Sequence, residues 1–197
     1  MKKITALMLI VSLMMLPGLA LAQVTTQRQT LSDIGISMDI PTGWYTATPA
    51  TAGNCTLATA FDMTEAEMKA MLQGMGASFY AVCDDFGIAQ MVVISGVGYS
   101  FVDMRDNDLD MDAFMRGFLT NYSNVKDSGV YQTKAATFAY VRFTQQDTDG
   151  SEMDIIQFVT NVNGKIYVVQ MMSLYGIPLS DATISLTKAV VDSITFR

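Results

Sequence analysis

The sequence predicts an α+β fold, in which an antiparallel β-sheet is flanked by helices within one domain. Three β-rich runs follow one another between Ala136 and Tyr175, separated by Asp-Gly and Asn-Gly turn signals. Two stretches with apolar residues at helical spacing, 64–76 and 110–122, stand between further β-rich runs. Because short turns rather than long crossovers join the strands, we expect an antiparallel sheet with helices on its faces.

The first 22 residues have the pattern of a secretory signal peptide. Lys2 and Lys3 precede an apolar run, and the small residues of Ala20–Ala22 form a cleavage site. The run is shorter than the roughly 20 apolar residues that span a membrane. We therefore expect a signal peptide at Met1–Ala22 and one mature domain from Gln23 to Arg197, without a membrane span, in the periplasm or outside the cell.

Composition and charge exclude several classes of function. Hydrophobic residues make up 50% of the chain and charged residues 16%, which is typical of a folded domain. Without Lys2 and Lys3, the chain has 10 basic and 19 acidic residues. The resulting net charge of −9 disfavours nucleic acid as a partner. The chain has no histidine, which excludes Ser-His-Asp catalysis and histidine-ligated zinc.

The first part of the mature chain has weak patterns and one strong helix. It is predicted to contain a loose lead-in (23–31), a half-buried strand (35–40), an extended segment (44–46), a loop (48–54) and a short strand (56–62). The helix at 64–76 has a capping box of Thr64 and Glu67, and Met68, Met71 and Leu72 lie on one of its faces.

The remaining elements have clearer boundaries. They are a hairpin (78–83 and 88–97), a helix (110–122), a strand (130–134), the three-strand meander (136–146, 153–162 and 165–174), a helix (180–192) and a closing strand (193–196).

The two cysteines, Cys55 and Cys83, are expected to pair in an oxidising compartment. Closing a loop of this length would stabilise the fold by about 3–4 kcal/mol in the chain-entropy model. Their wide spacing argues against a redox-active pair, which usually has the pattern Cys-x-x-Cys. Two buried thiols are the alternative that the sequence leaves open.

Two groups of residues have the chemistry of metal ligands. One is the methionine group Met63, Met68, Met71 and Met75, whose soft thioethers suit Cu(I) but which also fits a core-facing helix stripe. The other is Asp106, Asp108 and Asp110, spaced like the start of a calcium loop. The glycine and the last glutamate of such a loop are missing, so a solvated helix entrance is the alternative. Asp147, Asp149 and Glu152 also have cation-binding spacing, within a hairpin turn.

Trp44 and Tyr45 form an aromatic pair beside a turn. Aromatic residues at the end of a strand can form a platform for a ligand or partner. The alternative is that they plug the core at the edge of the sheet.

Three features together resemble the PsbP-like fold, named for an extrinsic subunit of photosystem II and shared by bacterial exported proteins. They are the segment Ile36–Trp44, reading Ile-Ser-Met-Asp-Ile-Pro-Thr-Gly-Trp, the late meander, and the final helix running into Asp192–Phe196. The resemblance spans Ser32 to Phe196 and implies an α/β/α sandwich. Proteins of this fold are mostly accessory or binding proteins without a shared catalytic set, so it assigns no site residue.

The sequence therefore favours an exported, non-enzymatic accessory or binding module that needs no cofactor. Its expected partner is a protein of the envelope or the extracellular space. Two alternatives are an extracytoplasmic metal-binding protein, with calcium at the acidic loop or Cu(I) at the methionines, and an enzyme that uses two converging carboxylates.

Overall fold

The computed structural model describes residues 24–83, 87–98, 103–105, 110–147 and 150–197. The predicted signal peptide, Met1–Ala22, lies outside these residues. The helices are α1 (Thr56–Phe61), α2 (Glu65–Met75), α3 (Met111–Leu119) and α4 (Asp181–Asp192). The strands are β1 (Thr26–Leu31), β2 (Ile36–Pro41), β3 (Tyr45–Ala47), β4 (Ala77–Val82), β5 (Ala89–Val97), β6 (Val125–Gln132), β7 (Thr137–Gln146), β8 (Glu152–Val162), β9 (Lys165–Ser173) and β10 (Thr195–Phe196).

Seven strands form one antiparallel sheet in the order β3-β4-β5-β9-β8-β7-β6. The predicted meander is confirmed as β7, β8 and β9, and it lies inside the sheet rather than at an edge. The turn between β8 and β9 has φ of 53° at Asn163 and 71° at Gly164. These positive values explain why Asn-Gly occupies this turn. The predicted α+β fold with an antiparallel sheet is confirmed.

A second sheet of three strands has the order β1-β2-β10. The prediction of a loose lead-in at 23–31 was wrong, because β1 pairs with β2 along its length, from Thr26 opposite Pro41 to Leu31 opposite Ile36. Leu31 is the buried residue of β1. A polar edge strand of this kind has no alternating apolar pattern, and its composition resembles that of a loop.

The two faces of the seven-stranded sheet are covered by different elements. On the closed face, side chains such as Phe79, Phe158 and Val169 form the principal core with residues of β2 and α4. On the open face, α1 and α2 cover β4 and β5, while α3 packs beside β7 and β8. The open face therefore carries two separate clusters of helix and sheet residues.

The segment predicted as a strand at 56–62 is helix α1, so that prediction was wrong. Cys55 caps the helix, its sulfur accepting a hydrogen bond from the amide of Ala58 at 3.3 Å, and Leu57 and Ala58 are buried. Asp62 ends the helix with φ of 52°. A short apolar run does not distinguish strand from helix by its pattern.

The predicted disulfide is not formed in the structure, where Cys55 and Cys83 are both thiols. Cys55 belongs to the cluster under α1 and α2, whereas Cys83 packs against the principal core. The two sulfurs thus face opposite sides of the sheet. The Cys83 thiol contacts the Met171 sulfur at 3.9 Å.

A buried carboxylate ties the segment before α4 to the sheet. Asp154 has a 3% exposed side chain and accepts hydrogen bonds from Arg142 at 2.6 and 3.2 Å. The amide of Leu179 also donates to Asp154, at 3.0 Å, and Arg142 donates to the Leu179 carbonyl at 3.2 Å. Lys126 lies 3.6 Å from the same carboxylate. This network fixes the chain between β9 and α4.

Candidate binding cleft beside helix α3

Helix α3 lies on the open face without burying any side chain fully. It begins at Asp110, whose carboxylate accepts a hydrogen bond from the amide of Ala113 at 2.9 Å. Its apolar stripe predicts a core-facing helix, yet Phe114 and Phe118 are only half-buried. The helix therefore covers the sheet loosely.

Aromatic rings connect α3 to the sheet at one side. Phe118 lies between Phe114 and Tyr122, with ring centroids 6.1 and 5.0 Å away. Tyr122 in turn packs against Phe143 of β7, with centroids 5.0 Å apart. This series of rings holds the end of the helix at β7 and leaves the side toward β8 and β9 open.

The space on that side is a cleft of about 460 Å³, which we call the α3 cleft. Its lining is mostly apolar, with two amide side chains and one phenol. The lining residues are Ala113, Phe114, Gly117, Phe118, Asn121, Tyr122, Gln157, Val159, Ile166 and Val168. Tyr122 is the one ionisable residue among them.

Tyr122 is neutral at physiological pH. Burial raises the pKa of its phenol, and a hydrogen bond with Gln157 offsets part of that rise. The cleft thus combines an apolar wall with a phenol, Gln157 and Asn121 as hydrogen-bonding groups. None of the described residues that line it is a carboxylate, lysine or cysteine.

A second cleft of about 360 Å³ lies on the other side of Tyr122 and is polar. Asn121 and Tyr122 line both clefts. The remaining lining residues are Ser123, Asn124, Phe143, Thr144, Gln145, Gln146 and Glu152. Amides and hydroxyls dominate, and Glu152 is the one carboxylate in this lining.

Of the three aspartates predicted as calcium ligands, the structure describes Asp110. Asp106 and Asp108 lie outside the described residues, as does Asp149. Asp110 caps α3 with its carboxylate. Nearby, Asp103 is paired with Arg105 at 2.6 Å, and these hydrogen bonds hold the pKa of Asp103 well below its usual range. Within the described segments, no three Asp, Glu, Cys or His side chains are grouped as metal ligands.

The four methionines proposed as Cu(I) ligands lie in the cluster under α2. Met68 is fully buried, and Met63, Met71 and Met75 pack against the same cluster. Met63 and Met71 also line a cleft of about 260 Å³ with Phe61 and Tyr80. The arrangement matches a core-facing stripe, and copper binding stays a prediction.

Trp44 and Tyr45 point into different parts of the molecule. Trp44 is 7% exposed and belongs to the principal core. Tyr45 is half-buried and contacts the ring of Phe61 edge-on, with centroids 6.0 Å apart. Both line a cleft of about 440 Å³. The burial of Trp44 matches the alternative of a core plug, and a binding platform at this cleft stays a prediction.

The α3 cleft was not predicted from the sequence. The pattern of α3 indicates a buried stripe, and it does not show how far the helix stands from the sheet. One signal was available, because Gln157 interrupts an apolar stretch of β8 between Ile156 and Phe158. A polar residue inside a central strand needs a partner, which here is Tyr122.

The chain was compared with known proteins by sequence and by structure. No protein-family model matches it, and neither does the sequence of any curated protein. Solved structures do match. The solution structure of cyanobacterial PsbP (CyanoP) from Synechocystis sp. PCC 6803 has a TM-score of 0.54 at 14% identity, over 90% of this chain and 96% of that one.

Two further structures match most of this chain. A crystal structure from Bacteroides thetaiotaomicron VPI-5482 has a TM-score of 0.51 at 13% identity, covering 89% of this chain but 49% of that one. LpqN of Mycobacterium tuberculosis, described as involved in cell envelope biogenesis, has a TM-score of 0.41 at 15% identity, over 88% and 91% of the two chains. The likeness to the first two structures, whose TM-scores exceed 0.5, shows the fold alone, which is PsbP-like, as the resemblance implied.

Proposed function

From its PsbP-like fold and its uncharged cleft, we propose that the chain is an exported, non-enzymatic binding module whose α3 cleft takes a neutral, largely apolar small molecule. The observation that carries this proposal is the lining of the cleft. Its volume of about 460 Å³ is in the range of small-molecule sites, and apolar walls with a few polar groups are typical of them.

The polar groups define the kind of ligand. Tyr122 and Gln157 hydrogen-bond each other, and the Asn121 side chain donates to the carbonyl of Phe118 at 3.1 Å, so each offers a ligand its remaining donors or acceptors. An ionic ligand would lose its hydration without gaining an opposite charge in this lining. The expected ligand is therefore apolar over most of its surface and carries one or two uncharged hydrogen-bonding groups.

Export is supported by the signal-peptide pattern at Met1–Ala22. None of the helices in the described part of the chain is long and apolar enough to cross a membrane. The absence of histidine from the sequence, and the neutral character of the described residues that line the cleft, support a binding role rather than a catalytic one.

The test is the binding of N-phenyl-1-naphthylamine, a neutral apolar fluorescent probe, to the mature chain. Gly117 lines the cleft, and a Cβ added there meets no atom within 4 Å. Gly117→Leu therefore has room for its Cβ and should place an apolar side chain at the cleft. Because leucine favours helix more than glycine does, we expect this variant to gain up to about 1 kcal/mol of stability and to lose probe binding.

Gly74 provides the matched control. It lies in α2, an added Cβ is equally unhindered, and it is not part of the α3 cleft. Gly74→Leu should gain similar stability and bind the probe like the wild type. Undiminished binding by Gly117→Leu would show that the cleft is not the site, and a wild-type chain that binds no probe would contradict the proposed ligand class.

A further inference from the structure

Two tight turns of the chain share a left-handed backbone but differ in sequence. The Asn163–Gly164 turn has the residues that such a backbone favours. The Tyr175–Gly176 turn has φ of 60° and 70°, and the amide of Ile177 donates to the carbonyl of Leu174 at 3.2 Å. These are features of a type I′ turn, whose first central position favours Asn, Asp or Gly. Tyrosine is out of place there.

Local packing does not compensate for this backbone strain. A bulky side chain with positive φ costs conformational free energy, because Cβ approaches the carbonyl oxygen. Tyr175 gains little burial in return, since it is 63% exposed, and Ile177 is 42% exposed. Residues held in strained backbone conformations cluster at functional sites, so the outlier points to a role for the exposed ring.

The turn is fixed to the sheet on both sides. The amide of Gly176 donates to the carbonyl of Glu152 at 2.7 Å, and that of Leu174 donates to the carbonyl of Ile88 at 3.1 Å. Beyond the turn, Leu179 is held by Asp154 at 3.0 Å. The two exposed apolar side chains are therefore presented by a preorganised backbone, which reduces the entropy lost when they bind.

The surroundings of the turn are acidic. Glu152 holds the turn with its carbonyl and is itself exposed, and Asp181 begins α4 shortly after Leu179. The nearby cations, Arg142 and Lys126, are engaged by Asp154 at 2.6 and 3.6 Å. An exposed apolar pair followed in the chain by Asp181 and hydrogen-bonded to the backbone of Glu152 complements an apolar socket with lysine or arginine at its rim.

We propose that the Tyr175–Ile177 segment is a docking knob for a partner protein, inserting Tyr175 into an apolar socket with a basic rim. Tyrosine is among the residues enriched at the energetic centres of protein interfaces. None of the knob residues lines the α3 cleft, so this interaction is independent of the small-molecule site proposed above.

The test begins with photo-cross-linking in cells that export the full chain. p-Benzoylphenylalanine replaces Tyr175 or, as the control, Phe61, an aromatic residue that is 44% exposed on α1. We expect a discrete adduct from position 175 that position 61 does not give. The protein in that adduct is then identified, purified and titrated with the mature chain.

Tyr175→Asn is the decisive variant, because asparagine suits a left-handed turn. We expect Tyr175→Asn to bind the purified partner at least tenfold more weakly and to have a Tm about 2–4 °C higher, because the strain is relieved. The control variant Phe61→Asn should bind the partner like the wild type. Wild-type binding should also weaken as NaCl increases.

Several results would overturn the proposal. In the cross-linking experiment, they are the lack of an adduct from position 175 and an adduct formed by two copies of this chain. For Tyr175→Asn, they are unchanged partner binding and a lowered Tm. The last result would assign Tyr175 a structural role.

Discussion

One face of the seven-stranded sheet is sealed, whereas the other is covered in two separate places. The closed face packs against β2 and α4 and contains the fully buried Phe79, Phe138 and Phe158. On the open face, α3 buries no side chain fully and leaves the α3 cleft beside it. The comparison indicates that the α3 part of the open face contributes less to stability than the closed face does, whereas α1 and α2 cover their part with buried residues such as Met68.

The largest expected effect is the loss of a core ring from the closed face. Phe158→Ala should lower the free energy of unfolding by about 3–5 kcal/mol, because it leaves a cavity in the principal core. Phe118→Ala, on the half-buried helix of the open face, should lower it by about 1–2 kcal/mol. Urea unfolding measures both, and equal losses would contradict the division between the faces.

The next effect concerns Asp154 on the closed face. Asp154→Ala leaves Arg142 without its carboxylate and should cost about 3 kcal/mol at pH 7. Burial raises the pKa of Asp154, but hydrogen bonds from Arg142 and Leu179 outweigh it, and the pKa is lowered. The stabilisation is therefore complete above the unfolded pKa of about 3.9 and is lost as the pH falls through the lower folded value.

Urea midpoints of the wild type and Asp154→Ala, measured from pH 7 down to acid, should therefore converge. Asp39→Ala is the control, since Asp39 forms an exposed ion pair with Arg28 at 3.0 Å and its loss should cost less than about 1 kcal/mol. If the difference in urea midpoint between the wild type and Asp154→Ala did not change with pH, the charge of the carboxylate would not contribute to stability.

The smallest expected effect tests whether Asp110, on the open face, caps α3 or also binds a cation. Asp110→Ala should cost about 1 kcal/mol by removing the cap of α3, whereas Asp110→Asn should cost little because asparagine also caps helices. Thermal unfolding with and without calcium separates the two predicted roles. A calcium-dependent rise in Tm that Asp110→Asn abolishes would favour the cation site over the cap alone.

The sequence was sufficient for the parts of the fold that have strong local signals. The meander has a turn signal between each pair of successive strands, and helix α2 has a capping box that the structure confirms. The sequence did not reveal β1, because its pairing with β2 depends on a partner rather than on its own pattern. The same limit applied to α1, where burial of Leu57 and Ala58 under α2 decides the conformation.

The candidate site was harder to predict than the fold. A helical stripe shows which residues face the sheet, but the width of the gap between α3 and β8 depends on how the whole helix docks. The polar partner of Gln157 also lies far away in sequence, at Tyr122. The strain at Tyr175 depends on its φ value, and the Tyr-Gly pair there does not indicate it by itself.

The small sheet has a consequence for the order in which the molecule assembles. Its central strand, β2, pairs with β1 on one side and with β10 on the other, and Arg28 of β1 donates to the carbonyl of Ser193 at 2.7 Å. Because β2 contributes Ile36, Met38 and Ile40 to the principal core, we expect this cover of the core to be complete only once β10 has paired with β2. A chain exported in the unfolded state would therefore complete this sheet only after the segment that carries β10 has crossed the membrane.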